Sequence, residues 1–159
     1  YLIYIWKCYK SAMRKQMDYG MKQTMLALVL IALPFGLLLW QLLAKQTTPP
    51  NITSAYGFAF FGGFISTIIL GQTFKTLPFI VWMHITRIDK LPEILPKDLF
   101  QEKWVKAQMV IFLIAYLSFL IALLMKIIAI LYIGAILMVI SALIYLTHSL
   151  SIVLKLVKK

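Results

Sequence analysis

Acidic side chains, cysteine and histidine are all scarce in this sequence, which holds 5 Asp and Glu, 1 Cys and 2 His among 159 residues. A lone cysteine cannot form an internal disulfide, and a zinc site needs more ligands than Cys8, His84 and His148 offer at this spacing. All of the carboxylates lie in polar segments of the chain: Asp18, Asp89, Glu93, Asp98 and Glu102. The sequence therefore predicts no metal site and no catalytic residues.

Polar residues are also too few to cover a soluble domain. Hydrophobic residues make up 62% of the chain and charged residues 13%, and the mean hydropathy is +0.91. A soluble domain of this size cannot bury so large a share of its side chains. We therefore expect residues 1–159 to form a single integral membrane domain, an all-α polytopic bundle of transmembrane helices.

Positive charge is in excess, with 16 Lys and Arg giving a formal net charge of +11. No polar domain is large enough to present this charge to nucleic acid, so a nucleic-acid partner is not expected. Lys and Arg collect beside membrane helices, where they contact anionic headgroups. The expected partners are the lipid bilayer and other membrane helices or subunits of a complex.

Long apolar runs predict four complete spans, over residues 24–44, 55–84, 107–125 and 127–154. The apolar residues 1–6 are too short to cross a bilayer, which takes about 20 residues in a helix. They are expected to be the end of a preceding span in a longer protein. The alternative is an N-terminal amphipathic helix lying at the membrane interface.

Two prolines and one lysine predict irregularities in these spans. Pro34 lies in the middle of the first span and is expected to kink it. The second span would be about 45 Å long as a straight helix, more than the hydrocarbon core, and Pro78 is expected to break it and leave 79–84 as a short interfacial piece. Lys126 separates the last two spans and predicts a very tight hairpin.

Cations are distributed unequally between the two sides of these spans. The N-terminal segment holds five, the 85–106 loop five and the C-terminus three, against Lys45 and Lys126 on the other side. The positive-inside rule then predicts that the N-terminal segment, the 85–106 loop and the C-terminus are cytoplasmic. The expected location is a bacterial-type inner membrane.

Small residues recur every four positions in the second span, at Ala59, Gly63, Thr67 and Gly71. This spacing is typical of a face on which helix backbones approach closely, and it predicts helix packing. Lys75 continues the same face. An ionisable residue inside a span suggests a cofactor or proton-path role, but Lys75 could also snorkel to the headgroups or form a structural ion pair.

The two histidines are weak candidates for cofactor binding. His84 ends the second span, where interfacial anchoring competes with haem or metal ligation. His148 lies in the fourth span beside Thr147 and Ser149, whose hydroxyls could hydrogen-bond its ring. For His148 a structural hydrogen bond therefore competes with a haem or proton-route role.

A longer pattern in the second span resembles a known family. A Gly-rich helix leads into a Lys-x-x-Pro-Phe-x-Val-Trp-x-His run: Lys75, Pro78, Phe79, Val81, Trp82 and His84. It resembles the C-terminal region of bacterial membrane proteins related to haem-copper oxidase subunit I. The basic run 13–20 and the residues 96–99 resemble the linkers that flank these spans, so the likeness covers about residues 10–105.

The resemblance implies a segment or subunit of a respiratory, electron-transport protein, with haem in the full-length protein or complex. Family members place their haem and copper ligands on histidines of several spans, mostly upstream of this region, and this chain has only two. It is therefore not expected to be an enzyme by itself. The alternatives are a non-enzymatic scaffold or assembly subunit and a transporter-like subunit, for which the prolines in the spans are the only indication.

Overall fold

The computed structural model describes Tyr4 and residues 18–43, 50–88 and 101–157. These residues form six α-helices and one π-helical segment, and they contain no strand. The elements are α1 (Tyr19–Leu30), α2 (Ala32–Leu43), α3 (Pro50–Phe58), the π segment (Ala59–Ile65), α4 (Ser66–Ile88), α5 (Glu102–Met125) and α6 (Ile128–Val157). The predicted all-helical class is confirmed for the described chain.

Four helical stretches are long and apolar enough to cross a membrane. They cover Tyr19–Leu43, Pro50–Arg87, Glu102–Met125 and Ile128–Leu154. The second stretch is longer at both ends than the predicted 55–84, because residues 50–54 and 85–88 continue the helix. The predicted partial span at 1–6 lies outside the described residues except for Tyr4, and so do the resembling segments 13–17 and 96–99.

The first stretch is interrupted where Pro34 predicts a kink. Helix α1 ends at Leu30, Ile31 forms a turn, and α2 begins at Ala32. The proline ring clashes with the carbonyl four residues earlier, which belongs to Leu30, and Pro34 has no N–H to donate. The interruption therefore falls one turn before the proline.

The break expected at Pro78 is wrong. Helix α4 continues through Pro78 to Ile88. Beyond the proline, Val81 and Ile85 are buried against Ile152 of α6. Packing against a neighbouring helix keeps the helix continuous through the proline, and such prolines are tolerated in membrane helices. The piece 79–84 is thus part of one long helix.

The hairpin between α5 and α6 is as tight as predicted. Lys126 takes a left-handed conformation with φ 59° and ψ 34°, and its N–H donates to the carbonyl of Ala122. This is the usual way to end a helix, although glycine is the residue that adopts it without strain. The two helices then run antiparallel, and a methyl group added at Gly134 would lie 2.9 Å from the Phe119 nitrogen.

Neighbouring stretches alternate in direction. Gln23 contacts Gln108, Phe74 contacts His148, and the Asn51 side chain donates to the carbonyl of Leu124. One end of the bundle, here called the basic end, therefore holds the helix ends at Tyr19, Ile88, Glu102 and Val157. The other, the turn end, holds those at Leu43, Pro50, Met125 and Ile128.

Candidate functional site

A chain of polar side chains joins three helices in the interior of the bundle. The Gln23 Nε2 of α1 donates to Gln108 Oε1 of α5 at 3.3 Å, and Gln108 Nε2 donates to Ser141 Oγ of α6 at 3.2 Å. Their exposed fractions are 0%, 1% and 1%. We call Gln23, Gln108 and Ser141 the amide chain.

The inward position of Gln108 follows from the spacing of buried residues on α5. Val105, Gln108, Phe112, Ala115 and Tyr116 are all buried and recur at three- and four-residue intervals. This spacing lines one face of a helix, so Gln108 lies among apolar neighbours. Such an amide needs hydrogen-bond partners, and the amide chain supplies them from two other helices. The Gln23 Oε1 accepts no hydrogen bond from any described residue.

Helices α1 and α4 approach closely beside the amide chain. A methyl group added at Gly71 would lie 2.9 Å from the Gly20 carbonyl oxygen and 2.8 Å from Thr24 Oγ1. The Thr24 hydroxyl donates to the Gly20 carbonyl at 3.0 Å, and Gln72 Nε2 donates to Thr24 Oγ1 at 3.3 Å. We call this contact the α1–α4 seam. The absence of a side chain at Gly20 and Gly71 permits this close backbone approach.

All four residues of the predicted packing stripe are buried, but they lie against different partners. Gly71 faces α1 across the seam. A methyl group at Gly63 would lie 2.6 Å from the Tyr116 hydroxyl oxygen of α5. Ala59 is fully buried in an apolar cluster near the turn end, and the Thr67 hydroxyl donates to the Gly63 carbonyl.

The stripe does not lie on a uniform α-helix, because Ala59 and Gly63 fall in the π segment. The Ser66 hydroxyl donates to the carbonyl of Phe61, five residues earlier, at 2.8 Å. Wide turns of this kind are frequent at functional sites. The sequence pattern of small residues did not indicate this change of helix type.

Lys75 lies on the outer surface, one turn beyond Gly71. Its side chain is exposed, and its Nζ lies 3.5 Å from the Met21 sulfur of α1. The lysine therefore borders the α1–α4 seam from outside and does not enter the amide chain.

The two histidines lie in different surroundings. His148 is 4% exposed and packs against Phe74, with ring centroids 5.6 Å apart. His84 is exposed and lies ten residues beyond Phe74 on α4, about 15 Å along the helix axis. The structure therefore does not bring His84 and His148 together. Within the described residues no group of three or more His, Cys, Asp or Glu is placed to hold a metal ion.

The amide chain is the part of the site that sequence reasoning missed. A signal existed for Gln108, a polar residue inside the apolar run 107–125, since polar residues within spans usually face the bundle interior. Gln23 had no such signal, because it precedes the predicted start of its span by one residue.

Comparison with known proteins gives no relative for this arrangement. No protein-family model matches the chain, and neither the curated proteins nor the solved structures contain a match.

Proposed function

We propose that this chain is a four-span helical module of a larger respiratory membrane protein of the haem-copper-oxidase-like class, and that the module is not catalytic on its own. The class rests on the resemblance carried by the run from Lys75 to His84. The non-catalytic role rests on how the polar residues are used. The module contributes packing surfaces for other membrane helices or subunits.

One observation supports the non-catalytic role most strongly. The interior polar residues Gln23, Gln108 and Ser141 hydrogen-bond to one another between helices, whereas Lys75 and His84 are exposed. Amides and hydroxyls between membrane helices serve mainly as interhelical contacts. A reaction centre would instead gather titratable groups around one point.

The outer surface supports association with other apolar partners. On α2, Phe35, Leu39, Trp40 and Leu43 are all exposed, from 56% to 81%. In a membrane this surface faces lipid or neighbouring helices.

The proposed orientation places the basic end in the cytoplasm of a bacterial-type inner membrane. Lys22, Arg87, Lys103 and Lys106 lie near this end, whereas Lys126 lies at the turn end. Cytoplasmic flanks carry the excess of Lys and Arg. The unequal charge of the described helix ends is what supports this orientation.

Haem ligation by two histidines of this chain does not fit the structure. His148 is buried at the level of Phe74, and His84 is exposed about 15 Å further along α4. Two side chains this far apart along the bundle would not reach the same haem. A haem of the proposed assembly would take its ligands from outside this chain, or at most one from His148.

The test is a reduced-minus-oxidised optical spectrum of the native, detergent-extracted protein that contains this chain, with the intact mass measured on the same sample. We expect a haem signal and a mass well above the 18.3 kDa of the chain. A haem-free sample with a mass near 18.3 kDa contradicts the proposal. That result would favour the alternative that the chain is a scaffold or assembly subunit.

Replacement of Lys75 tests whether this residue has a role in electron transfer. In our account the Lys75→Met variant assembles and transfers electrons like the wild type, because Lys75 lies outside the bundle interior. The matched control is Lys126→Met, which removes one cation from the turn end. Loss of electron transfer in Lys75→Met alone would assign Lys75 to a proton or cofactor path.

A transporter-like subunit is the second proposal, and an irregular region in the bundle favours it. Leu30, which precedes the interruption of the first stretch, packs in one cluster with Ala55 and with Ala59 of the π segment. Transporters often pair interrupted helices near the middle of the bilayer. Proton flux into pyranine-loaded proteoliposomes that is absent from protein-free vesicles would support a transporter-like function over that of a non-catalytic packing module.

A further inference from the structure

Lys75 carries a positive charge on the outer face of α4. Its ammonium group contacts the Met21 sulfur at 3.5 Å and, among the described residues, no carboxylate. A thioether is a weak acceptor and carries no charge. Among the described residues, no side chain supplies a counter-charge to Lys75.

Helix α5 indicates where the hydrocarbon core lies relative to the bundle. Residues 107–125 carry no charge, and Lys106 and Lys126 bound them. The 20 residues from Lys106 to Lys126 correspond to about 30 Å of helix, which is the thickness of a hydrocarbon core. On α5, the level of Lys106 is thus the expected boundary between acyl chains and headgroups.

Contacts between helices place Lys75 at this same boundary. The hydrogen bond of Gln23 to Gln108 sets the register of α1 against α5, and Gly20 lies about one turn nearer the basic end than Gln23. A methyl group at Gly20 would lie 3.6 Å from the Lys75 backbone nitrogen. Lys75 is therefore within about one turn of the level of Lys106.

We propose that Lys75 binds the phosphate of an anionic phospholipid at the α1–α4 seam. The lipid phosphates begin at this level, and an ammonium there attracts anionic headgroups. Gln72 adds a donor on the same exposed face, since its side-chain amide has two N–H groups and gives one to Thr24.

The proposal rests on the membrane placement of the bundle but not on the oxidase-like class. The haem spectrum therefore tests the oxidase-like class, and the lipid-binding measurement tests the present proposal. Lipid adducts are counted by native mass spectrometry of the detergent-solubilised, full-length protein, titrated with phosphatidylglycerol and, separately, with phosphatidylcholine. We expect the wild type to bind phosphatidylglycerol more tightly.

The Lys75→Gln variant should bind phosphatidylglycerol about fivefold more weakly, the ratio expected for one basic side chain at an anionic surface. Its binding of phosphatidylcholine should not change. Lys75→Arg keeps the charge and should bind within about twofold of the wild type. Lys126→Gln makes the same change of charge at the opposite boundary and should also leave the affinity within about twofold.

Several results would overturn the proposal. Wild-type binding by Lys75→Gln would show that the phosphate binds elsewhere, and equal losses in Lys75→Gln and Lys126→Gln would show a general charge effect. Equal losses in Lys75→Gln and Lys75→Arg would show that the substitutions disturb the seam and not the charge. Displacement of the lipid by millimolar inorganic phosphate would assign the site to a soluble anion.

Discussion

The two halves of the bundle are held together by different interactions. In the half nearer the basic end, the amide chain and the backbone contact of Gly20 with Gly71 join the helices, beside a small apolar cluster of Val81, Ile85 and Ile152. In the half nearer the turn end, one hydrogen bond joins the Asn51 side chain to the Leu124 carbonyl, and the buried core is apolar or aromatic: Leu30, Ala55, Ala59, Phe112, Tyr116 and Leu120. We call them the polar half and the apolar half.

The difference reflects what lipid does to the driving force for helix packing. Lipid tails are as apolar as leucine, so burial of apolar side chains gives little net gain between membrane helices. Close packing and interhelical hydrogen bonds supply the stability instead. The polar half therefore defines the register of the helices, and the apolar half contributes shape and dispersion contacts.

The largest effect should come from Gly71→Ala in the polar half. The added methyl group would meet the Gly20 carbonyl oxygen at 2.9 Å and the Thr24 nitrogen at 3.0 Å, and neither backbone atom can move without shifting α1. We expect a loss of about 1–3 kcal/mol in the free energy of unfolding, measured by denaturant titration in detergent.

Gly36→Ala is the matched control for this substitution. Nothing lies within 4 Å of a methyl group at Gly36 on α2. The unfolding free energy should therefore stay the same or rise slightly, since alanine is the better helix former. Equal losses of unfolding free energy in Gly71→Ala and Gly36→Ala would show that the close contact at the α1–α4 seam does not stabilise the bundle.

The next largest effect is expected for Gln108→Leu. This change removes the acceptor of Gln23 and the donor to Ser141, and it leaves the Gln23 amide buried without a partner on α5. The unfolding free energy should fall by about 1–2 kcal/mol. A variant as stable as the wild type in the same titration would show that the amide chain does not stabilise the bundle.

In the apolar half, removal of a buried polar group should raise the free energy of unfolding instead of lowering it. The Tyr116 hydroxyl is buried beside Gly63 and makes no hydrogen bond with the described residues. Tyr116→Phe removes this hydroxyl and keeps the ring, so the free energy of unfolding should rise by about 1 kcal/mol. A clear loss of stability in thermal unfolding would mean that the hydroxyl has a partner in the assembled protein.

The smallest expected effect lies outside both halves, at the turn between α5 and α6. Lys126 has a positive φ of 59°, which glycine adopts without strain. Lys126→Gly should raise the thermal midpoint slightly, by the equivalent of about 0.5 kcal/mol. Lys126→Val is the contrasting variant, because a β-branched residue opposes this conformation, and its midpoint should fall.

Several features of the fold could be predicted because they depend on local sequence. Uncharged runs predicted four helical stretches long and apolar enough to cross a membrane, Lys126 between two such runs predicted the tight hairpin, and Pro34 predicted the interruption of the first stretch. The break expected at Pro78 was wrong because packing of Val81 and Ile85 against α6 is a tertiary contact. Such contacts override local preference.

The candidate site was only partly predictable for the same reason. The small-residue spacing indicated that Ala59, Gly63, Thr67 and Gly71 share a face, but their different partners depend on where α1 and α5 lie. The pairing of Gln23 with Gln108 joins residues 85 positions apart. No local pattern of one helix indicates which residue of another helix it meets.

A double-mutant cycle on Gln23 and Gln108 tests the central claim that the buried polar residues hold the helices together. The unfolding free energies of Gln23→Leu, Gln108→Leu and the double variant are measured in one detergent, with Gln41→Leu combined with Gln108→Leu as the control pair. We predict a coupling energy of about 0.6 kcal/mol for Gln23 with Gln108 and additive effects for the control pair. Additive losses for Gln23 and Gln108 would contradict the account.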